Sequence, residues 1–104
     1  MIRVLLIFIL IFLIKNALAN DKHITIASTT STHDTGLLEY INKEFENKYQ
    51  TKVRALSLGT GQAIKVAMDG NVEILLVHHK KSELDFMNNG YGILRHDLMY
   101  NDFV

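Results

Sequence analysis

From Lys22 onward the apolar residues change their spacing repeatedly, from every second position to every third or fourth and back, with only a few residues between switches. A chain patterned in this way builds strands that alternate with helices, because each period turns one face of its element toward a shared core. His23-Ile24-Thr25-Ile26-Ala27 has the β-branched content of a strand. Gly36 to Tyr49 carries a helical stripe at Leu37, Leu38, Ile41, Phe45 and Tyr49. Lys52 to Leu58 alternates as a second strand, and Gln62 to Asp69 follows as a helix burying Ala63, Ile64, Ala67 and Met68, stopped by Gly70. Val72 to Val77 is apolar except for Glu73, as in a strand covered on both faces. Ser82-Glu83-Leu84-Asp85 has the form of a capping box and opens a short helix that Gly90 closes, after which Leu98 to Val104 begins another strand. The order β-α-β-α-β-α-β predicts an α/β fold: a mostly parallel sheet with right-handed crossovers and helices on both faces.

The first 19 residues follow a different rule. Arg3 precedes an apolar run from Val4 to Ile14, and Ala17-Leu18-Ala19 places small side chains where a signal peptidase needs them. Eleven apolar residues rise only about 16 Å as a helix, short of the roughly 30 Å hydrocarbon core, so a cleavable export signal is expected in preference to a membrane anchor. A bacterial lipid anchor needs cysteine directly after the cleavage site; Asn20 stands there, and the chain has no cysteine. The expectation is a freely diffusing periplasmic protein without disulfides. The signal also hides the charge of the remainder. The whole chain is neutral, but residues 20–104 carry nine basic against eleven acidic side chains. An acidic remainder lacking a Lys/Arg cluster excludes the phosphate-neutralising surface that nucleic-acid binding requires.

Ligands of open parallel sheets bind beyond the carboxyl ends of the strands. The first such loop is read as Ser28-Thr29-Thr30-Ser31-Thr32, five hydroxyl residues leading into a helix, and the second as Gly59-Thr60-Gly61-Gln62. A helix start offers unpaired N–H groups and a partial positive charge, and each hydroxyl adds a donor, so the pair suits a small ionised oxyanion. The plainer alternatives are an N-cap, with Ser31 and Asp34 as a capping box or Asp34 capping alone, and a simple tight turn at Gly59-Thr60-Gly61. A nucleotide P-loop is excluded, because Gln62-Ala63-Ile64-Lys65 stands where Gly-Lys-Ser/Thr is required. His78 and His79 are adjacent and on a strand would point to opposite faces. No pair of residues has metal-ligand spacing, and no cofactor is expected. Ser31, His33 and Asp34 superficially suggest a hydrolase, but the Gly-x-Ser-x-Gly elbow is missing and the three lie too close along the chain for a triad. Lys80-Lys81 and Lys43 to Lys48 read as solvated faces, and Tyr91 and Tyr100 as packing residues.

Taken in order, Ala27-Ser28-Thr29-Thr30-Ser31-Thr32, Gly36-Leu37-Leu38, Gly59-Thr60-Gly61-Gln62-Ala63, Leu75-Leu76-Val77-His78, Gly90-Tyr91-Gly92 and Met99-Tyr100-Asn101-Asp102-Phe103-Val104 resemble the periplasmic tungstate-binding proteins of ABC uptake systems. Ser28 stands where that family usually has threonine, which keeps a hydroxyl, and a proline common before the Met-Tyr-Asn-Asp-Phe run is absent. The resemblance implies a two-lobed, periplasmic-binding-protein-like fold that closes over the anion and delivers it to a membrane permease with a cytoplasmic ATPase. It implies no enzyme activity, a monomer at full length, and binding by Ser28, Thr29, Thr30 and Ser31 from the first loop and Thr60 and Gly61 from the second. Members of that family are much longer, so residues 20–104 are expected to be the N-terminal part of lobe one, with the second lobe absent. Tungstate has no proton to donate near neutral pH and suits a site of donors alone; hydrogen phosphate favours a carboxylate acceptor, and Asp34 is near enough to keep it a rival. Molybdate matches tungstate in size and charge, and a sulfate-type ion is a further alternative. The readings from other classes are a truncated product without transport function and a small hydrolase using Ser31 and His33.

Overall fold

A computed structural model describes residues 1, 2, 4–7 and 22–99. The expected cleavage site at Ala17-Leu18-Ala19 lies outside them, and among the described residues no helix is long and apolar enough to cross a membrane. The elements are β1 (His23–Thr29), α1 (Thr30–Asp34), α2 (Leu37–Tyr49), β2 (Lys52–Leu58), α3 (Thr60–Met68), β3 (Ile74–Leu76) and α4 (Lys80–Asn88). The fold is α/β as expected, with one added helix, α1. The expected fourth strand, Leu98 to Val104, falls mostly outside the described residues, and the described Leu98 and Met99 are not in a strand.

The three strands form one parallel sheet in the order β2-β1-β3. The chain leaves β1 toward one side and then crosses back over it to reach β3. With the right-handed crossovers that parallel strands adopt, that reversal sets α2 and α3 on opposite faces. The central strand is therefore covered twice: Ile26, Ala27, Ser28 and Thr29 are all buried, although their side chains alternate between faces. Leu38 from α2 and Ala63 from α3 complete the buried set, and Ala63 is fully enclosed. Glu46 of α2 accepts a hydrogen bond from the Val53 N–H at 2.7 Å, which ties that helix to the β2 main chain. Glu73 brackets Thr25, its side chain accepting from the Thr25 N–H at 2.7 Å and its own N–H donating to the Thr25 carbonyl at 3.1 Å. That bracket lies just before β3, and the strand itself is shorter than the expected Val72 to Val77.

Local chemistry sets the helix boundaries. Gly36 takes φ +75°, a left-handed conformation that breaks α1 from α2, and the Thr35 hydroxyl accepts from the Leu37 N–H at 3.2 Å while donating to the Thr32 carbonyl at 2.7 Å. The helix α3 begins two residues before the expected Gln62, because Gly59 is its extended N-cap. The expected capping box at Ser82-Glu83-Leu84-Asp85 is corrected. His79 caps α4 instead, its Nδ1 accepting from the Ser82 N–H at 3.3 Å with the Ser82 hydroxyl 2.7 Å away, so Ser82 lies inside the helix. Lys65 and Lys81 pair one turn on with Asp69 and Asp85, each at 2.8 Å, and the hydrogen bond raises both lysine pKa values; such exposed pairs contribute little stability.

The stripe expected on α2 is buried unevenly, Leu38 being 4% exposed and its neighbour Leu37 42%. Leu38→Ala will therefore cost about 2–5 kcal/mol, whereas Leu37→Ala will cost less than about 1 kcal/mol. Urea unfolding of the two variants checks the difference.

Candidate functional site

The sheet brings the two hydroxyl and glycine stretches together. β1 and β2 pair in register from His23 with Lys52 to Thr29 with Leu58, so both strands end at the same level and each passes directly into a helix. Thr30 bridges the two exits, its hydroxyl donating to the Leu58 carbonyl at 3.4 Å. Thr60 starts α3 two residues beyond Leu58, followed by Gly61.

The first stretch is not the loop expected from the sequence. Ser28 and Thr29 finish β1, and Thr30, Ser31 and Thr32 are the first residues of α1. A strand covered on both faces thus delivers its last two hydroxyls into the interior. The Ser28 hydroxyl is fully buried and has no hydrogen-bond partner among the described residues. Thr29 is also buried, and its hydroxyl lies 3.2 Å from that of Ser31 and 3.0 Å from that of Thr32. Thr30 and Ser31 are exposed, and Thr60 is half-buried.

The N-cap alternatives fail. The Thr29 side chain makes no capping hydrogen bond to α1, and Gly59 has no side chain to cap α3. Asp34 cannot replace them, because it is the last residue of α1 and lies exposed 3.6 Å from His33 Nδ1. Two neighbouring helix starts therefore lack side-chain caps, and their partial positive charge is unopposed by any carboxylate of their own turn. Asp34 stands one helical turn after Ser31, in a helix of five residues.

Ser31 does not approach His33: its hydroxyl is engaged with Thr29, and His33 lines a groove between α2 and β2 beside Glu39, Lys43 and Glu46. Residues two apart on a helix face different ways, so the hydrolase arrangement does not form. One further expectation, that His78 and His79 lie on a strand, is corrected: both lie beyond the end of β3. His79 caps α4, while His78 lines a cavity of about 370 Å³ with Thr32, Lys80 and Arg95. Among the described residues no cluster of three His, Cys, Asp or Glu side chains could hold a metal ion. Tyr91 keeps one ring contact, 5.7 Å from Phe86, but is otherwise exposed, while Tyr100 lies outside the described residues.

The glycines are informative because the backbone does not demand them. A Cβ added at Gly59 or Gly61 would meet nothing within 4 Å, and neither has positive φ. Gly61→Ala should raise stability by about 0.5–1 kcal/mol, since alanine is the better helix former, and, if an anion is held at this helix start, weaken its binding by crowding the approach. Thermal unfolding and calorimetric titration of the one variant test whether the two properties move in opposite directions.

A family model described as the PBP superfamily domain matches residues 16–104. Over 81 residues the chain is 44% identical to the tungstate-binding protein TupA of Peptoclostridium acidaminophilum, a match covering 78% of this chain and 28% of that one. Over 74 residues it is 39% identical to the TupA of Campylobacter jejuni, covering 71% of this chain and 28% of the relative. The solved structure of the tungstate-binding protein from Desulfovibrio alaskensis G20 superposes with a TM-score of 0.75 at 40% identity, covering 78% of this chain and 32% of that one. The chain spans about a quarter to a third of the length of the proteins it matches.

Proposed function

The chain belongs to the PBP superfamily domain family, and from that premise we propose that it forms part of an oxyanion-binding lobe of an ABC uptake system, with tungstate as the ligand. The observation that carries this reading is the pair of uncapped helix starts, α1 and α3, held level by the parallel β1–β2 ladder. In the proposed site Ser28, Thr29, Thr30 and Ser31 act from the first strand exit and Thr60 and Gly61 from the second. Hydroxyl and backbone donors bind a proton-free dianion without charge from lysine, which is how an acidic chain can capture an anion. The names of the relatives favour tungstate over molybdate, which presents the same charge and nearly the same size.

The proposal includes export to the periplasm through cleavage after Ala19, and delivery of the ion to a permease with its ATPase. It assigns the chain no catalytic role. The chain spans only a fraction of its relatives' length, so the proposed donors are those of the two strand exits alone.

Calorimetric titration of residues 20–104 with sodium tungstate should show saturable binding at a single site. Thr30→Val and Thr60→Val should each weaken binding by about tenfold, for tungstate and molybdate alike. Unchanged affinity in both variants would refute the site.

A further inference from the structure

We propose that His78 is a third arm of this oxyanion site, donating an imidazole N–H to the ion from the carboxyl end of β3; the inference rests on the binding function proposed above. Its basis is the strand register. β3 pairs with β1 through Ile26 with Ile74, Ala27 with Leu75 and Ser28 with Leu76. Continuing that register two residues past the ladder sets His78 level with Thr30. On the other side of β1, where Thr29 pairs with Leu58, the next residue level with Thr30 is Gly59, the N-cap of α3. Extended past the strand ends, the register thus sets Thr30, a residue of the proposed site, between Gly59, which precedes the proposed Thr60, and His78, two residues beyond β3.

The position also lies at the turning point of the sheet. The chain leaves β1 toward β2, and β3 lies on the opposite side, so the crevice beyond the β1–β3 pair is where open α/β sheets take their ligands. A cavity of about 370 Å³ occupies it, lined by both His78 and Thr32. Thr32 in turn contacts the buried Thr29 hydroxyl at 3.0 Å, which links the cavity to the oxyanion donors.

The chemistry distinguishes the two adjacent histidines. The His79 ring is committed to capping α4 through Ser82. His78 is exposed and has no hydrogen-bond or ion-pair partner among the described residues. The other charged groups lining its cavity are Lys80, Glu83, Arg95 and Asp97, together with His96. Arg95 occupies both carboxylates, at 2.7 Å from Glu83 and 2.9 Å from Asp97. Lys80 has no partner among the described residues, and the two cations of the lining balance its two carboxylates. These groups leave the crevice without net charge, so what His78 adds for an anion is donors: a neutral imidazole offers one N–H, a charged imidazole two.

The test is titration of the ¹⁵N-labelled full chain with sodium tungstate, following backbone amides and histidine ring nitrogens by NMR. The expected result is saturating shifts of the Thr30 and Thr60 amides and of the His78 ring at one common concentration, with the His79 ring unmoved. His78→Leu should then weaken binding by about tenfold, and His78→Gln, which keeps an N–H donor, should restore it to within about threefold. Shifts at Thr30 and Thr60 with a stationary His78 ring would overturn the role of His78 alone. No shift at any of these positions would overturn the oxyanion site and the His78 arm together.

Discussion

Parallel pairing of β1 with β2, unbroken from His23 with Lys52 to Thr29 with Leu58, is the constraint from which the site follows. An antiparallel partner would send its carboxyl end to the opposite edge of the sheet, and the two helix starts would lie a strand length apart. Parallel strands need a crossover connection, which α2 supplies between β1 and β2 and α3 between β2 and β3. The two crossovers run in opposite directions and cover both faces of β1, so the terminal hydroxyls of that strand are carried into the interior rather than into solvent.

This burial has an energetic consequence. A buried hydroxyl without a hydrogen bond costs about 1–3 kcal/mol, and Ser28 is in that position, fully enclosed and without a partner among the described residues. Thr29 avoids the cost by contacts with Ser31 and Thr32. Uncapped helix starts at Thr29 and Gly59 add N–H groups that a side chain would ordinarily satisfy. These are departures from what stability alone would favour, and they occur at the same edge of the sheet. An oxyanion resting there would supply the missing acceptors without introducing a buried positive charge.

Much of this arrangement was legible in the sequence because period and punctuation agreed. The strand Lys52–Leu58 has the bounds read from the sequence, and the helix Leu37–Tyr49 differs from its expected range only by the capping glycine. The failures have local causes. Hydroxyl-rich composition suggested a loop at Ser28 to Thr32, but β-branched threonine is also a strand residue, so β1 continued through Thr29 and a short helix followed at once. Ser82 resembled an N-cap because serine usually is one; the imidazole of His79 reached its N–H first. The position of His78 could not be read from spacing, since it depends on the register of a three-residue strand pairing with a segment almost fifty residues earlier.

In the proposed arrangement one oxyanion sits between the starts of α1 and α3. Crystals of the chain grown with tungstate, measured at the tungsten absorption edge, locate the metal directly from its anomalous scattering. A single strong peak is expected, with oxyanion oxygens about 3 Å from the Thr30 and Thr60 donors. A peak at the exposed lysines of α2 or α4 instead, with the strand ends empty, would contradict it.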